Sequence, residues 1–453
     1  MAACVVTSNS AVEFLFGLRF ALIVRFVLIV RFVRRDNDSV LSGRHAMFKT
    51  RSILSVVRGA SPLAATFLLL SSPAWSADAG GGLKFAVRCL MVNPNEGCAL
   101  GDVNNDGKLD IVSGTHWYAA PDFVARPVRD IPQISLGFGS RGFYANNADM
   151  IWDVNGDGWV DLISGGWTES EIMWYENPGK VPLERGWKWE PHLLVNARAE
   201  NEAFHLQDLD EDGVPEIVVH CWVKSAPLVA WKLTRTEDGT PSAERIVLGE
   251  QGSGHGFAAG DMDGDGDADI LCGIGWYERP DTNPLGHPWK FHPETALPTA
   301  SSPWVVADVD RDGRNDMVWG RGHDYGVYWW EQGEPEADGT TTWTEHLIDK
   351  SWSQAHSMAW ADLDGDGHGE LITGKRVRGH GGRDPGADEP PGLFYYKWNT
   401  HAARFDRHAV APPGAGVGTG MQICVADLAG DEKNDIAVAG KSGTYLLINE
   451  GRE

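Results

Sequence analysis

The sequence predicts an all-β fold, a seven-bladed β-propeller whose ring is closed by an N-terminal outer strand. Three observations predict it. A short acidic motif recurs seven times at nearly even spacing, and each interval holds short apolar segments rich in β-branched and aromatic residues. The last interval lacks its fourth segment, while a spare one precedes the first motif.

The motif is clearest at 260–270, GDMDGDGDADI. Asp261, Asp263 and Asp265 alternate with non-acidic residues, Gly266 follows, and Asp269 closes the motif before an apolar run. Oxygen ligands at every second residue, a glycine for the sharp bend and one further carboxylate suit a hard cation such as Ca²⁺. The first half reads like an EF-hand loop. The second half departs from it, because the closing acid stands at the ninth position and a strand-like Ile270-Leu271 follows.

The other copies place candidate ligands at Asp102, Asn104, Asp106 and Asp110; at Asp153, Asn155, Asp157 and Asp161; and at Asp208, Asp210, Asp212 and Glu216. They continue at Asp308, Asp310, Asp312 and Asp316; at Asp362, Asp364, Asp366 and Glu370; and at Asp427, Asp431 and Asp435. Successive first aspartates are 51, 55, 53, 47, 54 and 65 residues apart, about the length of a four-stranded blade. In the seventh copy Ala429 replaces the second acid and Glu432 the glycine. Six or seven calcium ions are therefore expected. The alternative is a set of Asx turns joining strands with no ion; the mutual repulsion of clustered carboxylates favours the cation.

These loops resemble those of the FG-GAP and VCBS repeats, the blades of integrin-type propellers and of many secreted bacterial proteins. The resemblance spans residues 83–450 and implies a calcium-stabilised propeller.

A chain of 453 residues with 54 glycines, 20 tryptophans and a formal charge of −24 suits a turn-rich, aromatic-layered β protein with acidic metal loops. Such acidity excludes nucleic acid as a natural partner. Residues 47–77 have a basic start, an apolar run at 63–70 and small residues at Ala74, Ser76, Ala77 and Ala79, which reads as a secretory signal, so the protein is expected to be exported. Residues 1–46 are read as an extension from a start assigned too early. Arg19, Arg25 and Arg31 interrupt their apolar stretch, so no stable membrane span is expected. Cys89, Cys98, Cys221, Cys272 and Cys424 follow the signal; Cys89 with Cys98 is one disulfide pairing, and free buried cysteines are the other reading.

Within a blade, strand A leads into the acidic loop (257–259, 358–361) and strand B follows it (269–273, 370–374). Strand C carries an aromatic pair such as Trp174-Tyr175, Trp276-Tyr277, Trp329-Trp330 or Tyr395-Tyr396. Strand D carries an aromatic followed three residues later by His192, His292, His346 or His408, a recurrence that marks those histidines as architectural. Residues 84–90 read as a strand D without a blade, and completing the last blade would leave no open edge.

The remaining histidines do not recur. Neighbouring strands run antiparallel, so the approach to strand A and the B-to-C turn share the face opposite the acidic loops. His255 and His356 lie at the approach to strand A; His116, His220, Arg321, His323, Tyr325, Arg376 and His380 lie in B-to-C turns. Together they are expected to ring one channel mouth, a natural place for binding or chemistry.

The stretches HGFAAGDMDGDGDADIL, GRGHDYGVYWWEQ and QAHSMAWADLDGDGHGELITGKRVRGHGGRDPG resemble the propeller portion of the aldos-2-ulose dehydratases, which remove water from oxidised sugars. Members of that family also carry cupin domains after the propeller, and an isomerase step assigned to such domains is not expected of residues 83–450. The resemblance implies a sugar site at His255, His356, His323 and the His380 loop, with a transition metal held by imidazoles. Eliminating water beside a carbonyl needs a base for the α-proton, a cation or donor for the enolate oxygen and an acid for the departing hydroxyl. His and Tyr can serve as base and acid, and Arg321, Arg376 or a His-bound metal can hold the oxyanion. Two readings stand: an exported sugar dehydratase or polysaccharide lyase, and a non-catalytic propeller binding glycan or protein. They predict converging and scattered ring nitrogens, respectively.

Overall fold

The computed structural model describes residues 81–452 apart from 135–142, 145, 167–169, 198–200, 222, 224, 253–254, 298, 301–302 and 338–340. The extension at 1–46 and the signal at 47–77 lie outside the described residues. Seven antiparallel four-stranded sheets form the seven blades. Blade 1 has strands A to D at Ala99–Gly101, Asp110–Ser113, His116–Ala119 and Val124–Pro127; blade 2 at Ala148–Trp152, Asp161–Gly165, Glu171–Glu176 and Glu190–Asn196. Blade 3 uses Asn201–Gln207, Glu216–Cys221, Leu228–Arg235 and Pro241–Gly249, and blade 4 uses Phe257–Gly260, Asp269–Cys272, Gly275–Glu278 and Lys290–His292. Blade 5 comprises Val305–Ala307, Asp316–Gly320, Tyr325–Gln332 and Trp343–Ser353, and blade 6 Ala355–Ala361, Glu370–Lys375, Leu393–Asn399 and Arg404–Ala411.

Blade 7 takes Ile423–Ala426, Asp435–Gly440 and Gly443–Arg452 from the end of the chain and Leu83–Met91 from its described start. The two outer strands run antiparallel from Leu83↔Arg452 to Met91↔Thr444. The ring thus closes as expected, with the outer strand one residue longer at each end than the sequence suggests. A two-stranded ribbon, Gln133–Ile134 with Phe143–Tyr144, lies between blades 1 and 2 and was not anticipated. Among the described residues no helix is long and apolar enough to cross a membrane.

Each acidic loop folds on its own side chains. In blade 4 Asp261 accepts the backbone N–H groups of Gly264 and Gly266, and Asp265 accepts that of Asp267. The bend needs left-handed backbone at the fourth and sixth loop positions, where φ is +82° at Gly264 and +97° at Gly266. The seventh loop keeps that bend with Glu432 at φ 67°, a strained conformation for a residue with a Cβ. The closing acid bolts the loop to the sheet. Asp269 accepts Met262 N–H with Oδ2 and, with Oδ1, Arg279 N–H just beyond strand C.

Strand B is buried on both faces, as the run Asp269–Cys272 shows, because neighbouring blades pack against each side. In strand D the recurring histidines stack on strand C aromatics: His192 on Trp174, His292 on Trp276, His346 on Trp329 and His408 on Tyr395, with centroids 4.6, 4.0, 4.5 and 4.7 Å apart. Polar side chains then tie blade to blade. Asn177, Arg279, Gln332 and Asn449, each in or just after a strand C, donate to a carbonyl in the preceding blade's loop, at Val103, Leu209, Met262 and Leu363.

Cys89, Cys98, Cys272 and Cys424 are free thiols. Cys89 lies in the outermost strand of blade 7, whereas Cys98 precedes the innermost strand of blade 1, so the two belong to different layers and the Cys89–Cys98 pairing is not formed. Cys98 instead neighbours Cys424, whose Sγ donates to its carbonyl at 3.2 Å.

Candidate functional site

Three blades bring four histidines together. His255 leads into strand A of blade 4, His323 sits in the B-to-C turn of blade 5, His356 lies inside strand A of blade 6, and His380 sits in the long B-to-C loop of blade 6. One ring nitrogen from each of His255, His323 and His356 falls within 4.8 Å of the others. Their rings meet edge to face, with centroids 4.7 Å (255 to 323), 4.9 Å (255 to 356) and 5.3 Å (323 to 356) apart. His380 stacks flat on His323 at 4.2 Å.

Hydrogen bonds decide which nitrogens carry protons. His323 Nδ1 lies 2.8 Å from Asp384 Oδ2 and His255 Nδ1 lies 3.3 Å from the Ala300 carbonyl. Carboxylates and carbonyls only accept, so both Nδ1 atoms donate and both Nε2 atoms bear lone pairs in the neutral rings. Those two Nε2 atoms are 2.9 Å apart. Facing lone pairs repel unless a proton or a cation lies between them. Burial pushes the His323 imidazolium down to about 3, and the neighbouring His255 and Arg376 add to the effect. Burial and the Arg376 charge likewise hold His356 far below the usual histidine range. Neutral imidazoles at His323 and His356, in a partly buried cluster, are what a divalent transition metal requires.

Asp384 was not singled out from the sequence. Its Oδ1 lies 2.9 Å from His380 Nδ1, so one carboxylate orients two rings. Burial works against its charge, but the His323 and His380 hydrogen bonds outweigh it and keep the carboxyl below its ordinary value. The available signal was His380 with an acid four residues on. A carboxylate behind a histidine fixes its tautomer and strengthens it as a ligand or a base.

The loop carrying His380 is held under strain. Gln354, Arg378 and His380 have φ of 66°, 50° and 46°, left-handed values that non-glycine residues adopt only when their surroundings impose them. Gln354 Oε1 accepts the Gly379 N–H at 3.0 Å. Beneath the loop, Arg376 pairs with Glu96 through Nε at 2.7 Å and Nη2 at 3.0 Å, and Lys441 reaches the same carboxylate at 3.0 Å. Burial would raise Glu96, yet the Arg376 and Lys441 charges hold it at about 2.

Other expected site residues are placed differently. Tyr325 begins strand C of blade 5 and its hydroxyl donates to Glu389 Oε1 at 2.6 Å. Arg321 lies over the Tyr328 ring, 3.8 Å from Asp324 Oδ2. Arg376 is buried in its pair with Glu96. His116 opens strand C of blade 1 rather than a turn; its Nδ1 meets Thr115 Oγ1 at 2.8 Å and no described contact joins it to the histidine cluster. His220 belongs to strand B of blade 3, not to the turn after it, and its side chain lies outside what is described.

The acidic loops differ in how well they suit calcium. In blade 4 one oxygen each of Asp261, Asp263 and Asp265 falls within 4.8 Å of the others, and burial with the neighbouring Asp265 charge raises Asp263. In blade 5 Asp310 is likewise raised by burial and by Asp312. The residues of blades 1, 2 and 4 fit the ion. In blades 3 and 6 an ammonium already lies among the carboxylates, and at the fifth position of the blade 5 and blade 7 loops Asp312 pairs with Arg314 and Asp431 with Lys433.

Residues 153–219 and 308–373 match the FG-GAP-like repeat. No curated protein matches the chain. Among solved structures, the V. cholerae biofilm matrix protein Bap1 aligns at 11% identity over 82% of this chain and 92% of that one, with a TM-score of 0.40. The Bacillus licheniformis rhamnogalacturonan lyase PL11 aligns at 13% identity over 81% of this chain and 72% of that one, with a TM-score of 0.42. Likenesses this remote carry no functional reading. The chain is therefore a seven-bladed β-propeller that carries FG-GAP-like repeats at residues 153–219 and 308–373.

Proposed function

We propose that the histidine cluster of blades 4 to 6 is a divalent transition-metal site serving β-elimination on a sugar, of dehydratase or lyase type, in an exported propeller stabilised by calcium. The observation that carries this reading is the 2.9 Å approach of two Nε2 atoms whose partner nitrogens are both committed as donors. Ligand nitrogens about 2.0–2.1 Å from a tetrahedral metal lie roughly 3.3 Å apart, close to that separation. His255, His323 and His356 would hold the ion, with Asp384 and the Ala300 carbonyl behind two of them.

A metal bound there would polarise a sugar oxygen as a Lewis acid. The rest of the chemistry falls to the chain. His380 is backed by Asp384 through Nδ1, and its Nε2 has no hydrogen-bond partner among the described residues, which suits a base taking a proton α to a carbonyl. Tyr325, paired with Glu389, can return a proton to the departing oxygen. Arg321, partly exposed, can neutralise a uronate carboxylate. The non-catalytic alternative expects scattered nitrogens, and the convergence of three rings favours the enzyme.

Metal analysis of the purified chain tests this, together with the wild type and a His323→Ala/His356→Ala variant supplied with oxidised sugars and uronic polysaccharides. Expected are one first-row metal lost in the variant while calcium is retained, and an ultraviolet absorbance from unsaturated product in the wild type alone. Equal metal content in the two proteins would remove the proposed site.

A further inference from the structure

Two of the acidic loops contain their own cation. In blade 3 Lys232 Nζ donates to Asp210 Oδ2 and, at 2.7 Å, to Asp212 Oδ2, and lies 3.8 Å from Glu216 Oε1. In blade 6 Lys397 Nζ donates to Asp364 Oδ2 and, at 2.7 Å, to Asp366 Oδ2, and lies 3.3 Å from Glu370 Oε1. Each ammonium therefore bonds the third and fifth loop residues and stands near the ninth, three of the four residues a calcium ion would use.

The sequence supports this independently of side-chain placement. Both lysines follow the strand C residue that pairs with the first apolar residue after the closing acid, Trp231 opposite Ile217 and Tyr396 opposite Leu371. The same position holds Ala119, Glu176, Glu278, Glu331 and Ile448 in the other blades. Lysine thus stands there only in the two blades whose loop closes with Glu instead of Asp.

The longer acid has a physical role. In blades 1, 2, 4, 5 and 7 the closing Asp spends Oδ1 on a backbone N–H in or just after strand C, from Ala120, Asn177, Arg279, Gln332 and Asn449. Glu216 and Glu370 keep the loop bond through Oε2, to Leu209 and Leu363 N–H, and the added methylene leaves Oε1 beside the ammonium. In blades 2, 4 and 5 the lysine position carries instead a glutamate, paired with a strand D histidine: Glu176 with His192, Glu278 with His292, and Glu331 with His346.

We propose that Lys232 and Lys397 are built-in cations for the loops of blades 3 and 6, so that calcium is taken by the loops of blades 1, 2 and 4 and excluded from these two. A fixed ammonium supplies charge that no chelator removes, but only three donors against the six to eight oxygens calcium gathers. Consistent with that shortfall, Asp208 Oδ1, Asp210 Oδ1 and Asp364 Oδ1 stay buried without a hydrogen-bond partner. The competing outcome is a lysine that yields to calcium.

Amine-reactive labelling of the folded wild-type chain, read by peptide mass spectrometry, separates the two. Lys232 and Lys397 should remain protected in chelator and in calcium alike, while exposed Lys290 reacts in both. Labelling that rises when calcium is added would overturn the proposal. Native mass spectrometry of Lys232→Met/Lys397→Met supplies the second readout. Bound calcium should increase by one ion for each loop freed, and an unchanged count in the folded variant would also overturn it.

Discussion

His323 Nδ1 and Asp384 Oδ2 lie 2.8 Å apart, and that contact links blade 5 to the long loop of blade 6. It settles the tautomer of His323, turns its Nε2 toward His255 as a lone pair, and leaves the other carboxylate oxygen for His380.

If Asp384 positions the metal ligand, Asp384→Asn should weaken metal binding about 10–100-fold, the usual cost of losing such a partner. Competition against a chelator with cobalt as the probe measures it, through the visible absorbance of the imidazole-bound ion. Unchanged affinity would separate Asp384 from the cluster.

Chelation should lower the thermal midpoint and added calcium should restore it. An ion bound only by the folded state adds about 2.7 kcal/mol per site at 100 times its Kd. The effect should vanish stepwise in Asp153→Ala and Asp261→Ala and leave Lys232→Met no less responsive than the wild type. A midpoint indifferent to EDTA would count against calcium in every loop.

His205 stacks on Phe257 at 4.4 Å with Nε2 buried and unbonded, and burial pushes its imidazolium down to about 4. The unfolded chain, with an ordinary value near 6.5, binds the proton more readily. His205 therefore contributes fully above about pH 6.5 and less as the pH falls toward 4. Midpoints measured across that window should drop more for the wild type than for His205→Phe. Parallel curves would refute the assignment.

Glu96 joins the start of blade 1 to Arg376 and Lys441. Glu96→Gln should cost about 3–5 kcal/mol in denaturant titration, because it leaves two cations buried without their counter-charge. Replacing Glu96 and Arg376 together with Gln and Met should recover part of the loss. A mild effect of the single change would mean that water reaches the site.

Much of the fold was legible because a blade is local. The acidic loop, its left-handed positions and its closing acid lie within nine residues, and the aromatic and histidine pairs of strands C and D recur at fixed offsets, so counting along the chain located the blades and the closing strand. The same counting gathered His255, His323, His356 and His380, since the approach to strand A and the B-to-C turn share one face. It misplaced His116 and His220 by a few residues, because strands B and C extend further than their apolar cores suggest.

Other relationships had to wait for the tertiary structure. Asp384 behind two rings, Glu96 beneath Arg376 across 280 residues, and the lysines inside two acidic loops all depend on which side chains the closed ring sets beside one another. Sequence alone determined the repeating unit, since hydrogen-bonded turns and alternating strands act over neighbouring residues. Which charge faces which was decided only in three dimensions, since Coulomb forces and ligand geometry depend on distance through space.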